Sequence, residues 1–245
     1  DLKLSRGLGD VYKRQIGSHA YCSEKKNFEN GVMAIFTEML ALDAPLHVQM
    51  SENETNLVNI YLKLASRSSG YRTRFSPYLS VIRNDEKVFG APGIDIPSAS
   101  ITRALGREYE NHPFRNYHTS KDDIASSDLD SLKKALSYLQ IFISIIEKDQ
   151  IVERQFNGIP MLSRHELFYS PKTHREMYDL QEKIVWQLKK PKSISKISQD
   201  LNADFFDIFE LLKKWEDKNL IKFHDISGEY KNCLLYTSPS PRDSF

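Results

Sequence analysis

Cysteine is nearly absent. The 245-residue chain holds two, too few for a disulfide scaffold, so a reducing, cytoplasmic compartment is the expectation. No apolar run reaches the roughly 18–20 residues that a membrane-spanning helix requires. The longest, Leu136 to Ile146, is broken by Ser137, Gln140 and Ser144. An excess of either charge is also missing: 34 Lys and Arg stand against 33 Asp and Glu, a formal net charge of +1. That balance removes any case for a polybasic binder of nucleic acid or of a membrane surface. There is no internal repeat and no low-complexity tract. What is present is 40% hydrophobic residues on a chain long enough for one large core or two small ones.

Two short segments read as foreign. Ser5 to Gln15 is SRGLGDVYKRQ and Cys233 to Asp243 is CLLYTSPSPRD. One DNA string encodes the first, and its opposite strand, one base out of register, encodes the second. That string resembles the transposon-end adapter of sequencing libraries, and such segments are set aside before fold reasoning. Residues 1–15 and 233–245 are therefore expected to be adapter-derived. On that reading the natural part is Ile16 to Asn232, a gene fragment cut at both ends, with Cys22 its sole cysteine.

Between these ends, strand and helix patterns alternate. Ile16 to Asn27 opens with a Gly-Ser turn and continues as a polar helix. Gly31 to Leu40 (GVMAIFTEML) is a short apolar run, the pattern of a strand buried on both faces, and Pro45 to Met50 alternates as a second strand. Leu57, Ile60, Tyr61 and Leu64 give Glu54 to Ser66 helical spacing. Phe75 to Ile82 reads as another extended piece. Ile94 to Arg103 reads as a strand whose Pro97 argues for an edge or a bulge. The strongest helix is Asp128 to Lys148, with Ser126, Ser127 and Asp128 as N-terminal caps and an apolar stripe from Leu132 to Ile146. Strands alternating with helices make an α/β domain over residues 16–157. A linker follows at 158–173. From His174 three helices (His174 to Lys190, Ser193 to Leu201, Asp204 to Lys218) and a strand from Leu220 outline a small winged helix-turn-helix domain, residues 174–232, lacking the end of its wing.

Three places could carry chemistry. Tyr117-His118-Thr119-Ser120, with Asp122 and Asp123 after it, puts an imidazole in a loop following a strand, where it can ligate a metal; a lone His is also commonly a surface or packing residue. Asn84-Asp85-Glu86-Lys87 is a carboxylate pair before a Pro-Gly turn, and equally the pattern of a solvated charge run. Glu38 interrupts an apolar strand, and a buried carboxylate needs a metal, a cation or several hydrogen bonds to offset its desolvation. If the strand stops at Thr37, Glu38 is a loop residue.

GSHAY, FTEML, NDEKVFGAPGIDIPSASITR and NYHTSKDD follow one another in an order that resembles a bacterial aminopeptidase-like family of formally unknown function. That family sits in the zinc-exopeptidase superfamily, beside bacterial leucyl aminopeptidases, glutamate carboxypeptidase and glutaminyl cyclase. The resemblance covers about Ile16 to Lys148. It implies a mixed, mainly parallel sheet with helices on both faces and metal ligands at the carboxyl ends of strands, here only in part, with a C-terminal winged helix. It further implies zinc as the cofactor of the intact parent and a peptide or amide as substrate. Zinc would polarise the scissile carbonyl while a Glu takes a proton from bound water. His118 matches the final ligand of the family pattern. Glu38 aligns with a strand carboxylate that the superfamily more often supplies as Asp. Asp85 matches an acidic position behind the ligands or against the substrate, and Tyr117 and Thr119 flank the metal. The first His, the bridging Asp and the general-base Glu would lie before Gly17-Ser18, so the chain is expected to lack them and to be inactive by itself.

The presumed recognition helix, Asp204 to Lys218, carries five acids against Lys213, Lys214 and Lys218, a poor match for phosphates. Nucleic acid is therefore not an expected partner of this module; docking on a protein or on its own chain is. The rival to the hydrolase reading is a non-catalytic peptidase-like scaffold or regulator that binds a partner through the winged helix.

Overall fold

The computed structural model describes residues 16–27 and 31–226. The two adapter-like segments and residues 227–232, where the wing was expected, lie outside the described residues. The chain divides into two compact units, Asp1–Ile141 and Phe142–Phe245.

The first unit opens with α1 (Ile16–Cys22) and a 3-10 turn at Lys25–Asn27. It then builds a sheet from β1 (Ala34–Glu38), β2 (Leu46–Gln49), β3 (Thr73–Ser76) and β4 (Ser98–Thr102). The order is β1-β4-β2-β3. β1 runs parallel to β4 and β2 parallel to β3, while β2 and β4 are antiparallel, so the sheet is mixed. Helix α2 (Leu57–Ser69) follows β2, the single-turn helix α3 is Glu86–Phe89, and α4 is Leu129–Lys148.

Alternation along paired strands sorts the side chains. Leu46, Val48, Ala99 and Ile101 share one face, and all are buried. Tyr138 of α4, 0% exposed, donates its hydroxyl to the Leu62 carbonyl of α2 at 2.7 Å. Val58, Leu62 and Ala65, spaced by helix turns, are buried with it. Gly70 ends α2 at φ 66°, the left-handed C-cap conformation that glycine adopts without steric cost. The other face is polar except for Phe36: Glu38, Thr102 and His47 occupy one row, and Phe36, Ser100, Gln49 and Ser76 the next.

Two strands differ from their sequence patterns. The apolar run around β1 suggested burial on both faces, yet β1 lies at an edge and four of its five residues are half-buried. β4, like β2, is buried throughout. Its Ser98, Ser100 and Thr102 are small enough to pack in an interior strand, which their polarity disguised. Pro97 precedes β4 and costs the ladder no donor; its carbonyl accepts from Ala34 N at 2.9 Å. The extended piece expected at Phe75 to Ile82 stops being strand at Ser76.

The second unit contains β5 (Gln150–Arg154), α5 (Arg175–Gln187), β6 (Lys192–Ser193), α6 (Ile194–Leu201), α7 (Phe205–Asp217) and β7 (Ile221–Asp225). Three helices and a strand thus stand where the sequence placed them. β5 is the centre of an antiparallel sheet of order β6-β5-β7. Ser193 and Asp204 cap α6 and α7 with side-chain oxygens. Asp149 Oδ1 accepts from Ser195 N at 2.9 Å. Ile184, Ile194, Ile197, Phe205, Ile208 and Trp215 form the core, each 0% exposed.

Candidate functional site

The strand β1 runs through Glu38 and then turns, with Met39 at φ 54°. Met39 tucks against Val81, Ile82 and Ala104, leaving Glu38 half-buried at the carboxyl end of a parallel pair, opposite Thr102. Its Oε1 accepts from Asn84 Nδ2 at 2.5 Å, across 46 residues of sequence. The fold therefore brings two of the three sequence-chosen places together, Glu38 and the Asn84-Asp85-Glu86 segment.

That segment is held from beneath by groups the sequence did not single out. Gln49, 0% exposed, lies on the polar face of the sheet. Its Oε1 accepts from Val81 N at 2.8 Å and Ile82 N at 2.9 Å, and its Nε2 donates to Glu86 Oε1 at 3.2 Å. Glu86 Oε1 also accepts from Asn84 N at 2.9 Å. Glu86 is 0% exposed and its Oε2 has no hydrogen-bond partner among the described residues. Tyr78 donates its hydroxyl to the Glu86 carbonyl at 3.0 Å. Burial, with Glu86 and Glu52 nearby, pushes the Tyr78 phenol up to about 12. A chain of contacts thus runs from Gln49 through Glu86 and Asn84 to Glu38.

Asp85 itself is half-buried at the N-terminus of α3. Its carboxylate makes no hydrogen bond or ion pair among the described residues, whereas its backbone carbonyl accepts from Val88 N and Phe89 N. The buried member of the carboxylate pair is Glu86, and no sequence pattern separates the two.

His118 stands on the long loop after β4. It is exposed, has φ 59°, and stacks on Tyr117 with ring centroids 3.9 Å apart. Phe114 meets Tyr117 edge-on. Turns fold the loop locally: Thr119 N donates to Asn116 O and Asp122 N to Thr119 O, each at 3.1 Å. Asp123 caps a 3-10 turn through Ala125 N and Ser126 N.

His47, which the sequence did not suggest, lies in the row of Glu38 and Thr102 and is 4% exposed. Nδ1 faces the Ala104 carbonyl at 3.1 Å and Nε2 faces Ser76 Oγ at 2.7 Å. A carbonyl only accepts, so Nδ1 carries the proton and Nε2 accepts from the serine hydroxyl. Burial draws the imidazole below its ordinary 6.5, partly opposed by the bond to Ala104.

A catalytic zinc takes about three protein ligands and an open position. Among the described residues no group of three or more His, Cys, Asp or Glu is placed to hold a metal ion. These residues by themselves do not fit a catalytic zinc. Among them, too, no helix is long and apolar enough to cross a membrane.

No curated protein matches the chain. A crystal structure of a putative peptidase from Clostridium acetobutylicum has the same fold over 82% of this chain, with a TM-score of 0.67 and 15% sequence identity. The chain spans 44% of the length of that protein. Residues 12–149, more than half of the chain, match a family described as a domain of unknown function, DUF4910, and the chain belongs to that family.

Proposed function

We propose that the chain is part of a zinc-dependent, aminopeptidase-like hydrolase of peptide or amide bonds. Glu38 and His118 would belong to its metal set, and Asp85 would stand behind the ligands or against the substrate. The observation that carries this reading is the carboxylate of Glu38 at the carboxyl end of the parallel pair β1 and β4, fixed by Asn84 from the Asn84-Asp85-Glu86 segment. Ligands at that end of an open α/β sheet are the common arrangement. The order of the sequence motifs and the fold shared with the clostridial protein support it.

Two ligands hold zinc poorly and leave no general base, so this chain alone should hydrolyse nothing. The test is to read the source locus upstream of the codon for Ile16 and to assay both proteins on amino-acid p-nitroanilides. A longer frame supplying a His, a bridging Asp and a Glu-Glu pair, with zinc-dependent turnover that the 245-residue chain lacks, is the expected result. Turnover by the short chain, or a longer frame without those residues, overturns it.

One observation favours the second reading, a non-catalytic regulator that docks a partner through a C-terminal winged helix. In the second unit Trp186 of α5, together with Ile159, Met161 and Phe168 of the segment before it, is large, apolar and between 53% and 74% exposed. An upstream frame without the metal residues, together with an inert full-length protein, would select this reading.

A further inference from the structure

Four separate segments of the first unit meet around a cavity of about 320 Å3. The loop before β2 brings Asp43 and the start of β2 Leu46, the α2–β3 turn brings Tyr71 and Arg72, Arg103 follows β4, and α4 adds Lys134. Three cations thus face one carboxylate.

Arg103 is the unusual member. It is 5% exposed, and Nε donates to Leu40 O at 3.0 Å, Nη2 to Ser131 O at 2.8 Å, and Nη1 to Ala44 O. All three acceptors are neutral carbonyls. Among the described residues Arg103 makes no ion pair, and neither do Arg72 and Lys134. A guanidinium has five N–H donors, so two remain, the number a carboxylate takes in a bidentate pair. Buried charge is ordinarily paired. Here Asp128 and Asp43 offset the burial of Arg103 only at a distance, neither forming an ion pair with it, and the cavity it lines leaves room for a closer partner.

We propose that this cavity binds a small organic carboxylate, its carboxyl group taken by Arg103, Arg72 and Lys134 and its carbon chain laid against Leu46 and Tyr71. Leu46 is 3% exposed and Tyr71 half-buried, so part of the wall is apolar, which suits an organic ligand better than an inorganic ion. Asp43 on the rim repels a dianion more than a monoanion. The site is distinct from the one around Glu38. Glu38 pairs with Thr102, and the next residue, Arg103, turns instead to the Ser131 carbonyl of α4. The proposal therefore does not depend on the hydrolase reading.

The test is calorimetric titration of the 245-residue chain with butyrate, with its neutral isostere butyramide, and with inorganic phosphate at constant ionic strength. Butyrate should bind saturably, and butyramide at least about tenfold more weakly, the loss of a single charged contact. Phosphate should bind more weakly than butyrate. Arg103→Lys removes bonds that hold the Leu40 and Ala44 carbonyls and is uninformative if it unfolds. The variant that decides is Arg72→Ala with Lys134→Ala, two exposed side chains. It should keep the circular-dichroism spectrum and lose about fivefold in butyrate affinity. Absence of saturable butyrate binding, equal binding of butyramide, tighter binding of phosphate, or full affinity in the double variant would each overturn the proposal.

Discussion

Gln49 is the residue on which the loop beneath Glu38 depends, and replacing it should unfasten that loop. In Gln49→Ala the Val81 and Ile82 amides, on residues 1% and 8% exposed, lose their acceptor, and Glu86 loses one of its two donors. An unsatisfied buried amide costs about 1–3 kcal/mol. Two of them give about 2–6 kcal/mol, and relaxation of the loop argues for the middle of that span, about 4 kcal/mol. At a typical urea dependence this lowers the unfolding midpoint by about 2 M. Both tryptophans, Trp186 and Trp215, lie in the second unit, so their fluorescence would miss the event. Amide hydrogen exchange at Val81, Ile82 and Asn84, resolved by NMR, reads it directly. Gln49→Glu sharpens the test. It keeps an acceptor for both amides but sets a second carboxylate about 3.2 Å from Glu86 Oε1, a like-charge contact that costs several kcal/mol. A proton shared between the two relieves it, so the deficit of this variant should shrink as pH falls from 7 towards 5. A loss under about 1 kcal/mol in Gln49→Ala with unchanged exchange at Val81 and Ile82, or a pH-independent deficit in Gln49→Glu, would refute the reasoning.

The buried imidazole of His47 titrates below its ordinary 6.5, so the unfolded chain binds the extra proton more readily than the folded one. Stability of the first unit should then rise with pH up to about 6.5 and fall below it, by at most about 1.4 kcal/mol per pH unit; His47→Gln should flatten that slope in urea titrations from pH 5 to 7. Tyr78 is protected in the opposite direction. Its phenol, pushed up to about 12, should stay protonated in the folded protein through pH 11. Its contribution is intact below pH 10 and lost as pH rises through 12; spectrophotometric titration of wild type against Tyr78→Phe checks this. In the second unit, Asp204 Oδ1 accepts from Phe206 N at 2.8 Å and Asp207 N at 3.3 Å. Asp204→Ala should cost about 1 kcal/mol and Asp204→Asn far less, measured by tryptophan fluorescence, since Trp215 sits in that core.

Some of this protein was legible in the chain because the information is local. The apolar stripe of α4 and the three C-terminal helices follow from spacings of three or four residues. Strand β1 was legible as a strand, and Glu38 as its odd member. What the chain could not disclose was which strands are interior. Burial is decided by neighbours: β4 sits between β1 and β2, so small serines pack where large apolar residues would be read as core. The same limit hid β5, a strand of the second unit whose partners lie about 40 and 70 residues further on.

The candidate site divides in the same way. Sequence alone named Glu38, His118 and the Asp85-Glu86 pair, since carboxylate and imidazole chemistry is written in the side chain, and the family resemblance picked Asp85 from that pair. Tertiary structure alone set Asn84 on Glu38, buried Glu86 rather than Asp85, and placed Gln49 beneath both. It also gathered Arg72, Arg103 and Lys134 around one cavity. Residue type fixes which hydrogen bonds and charges a side chain can offer, whereas burial and partner depend on segments folded together from far along the chain, and those set the energy of each group.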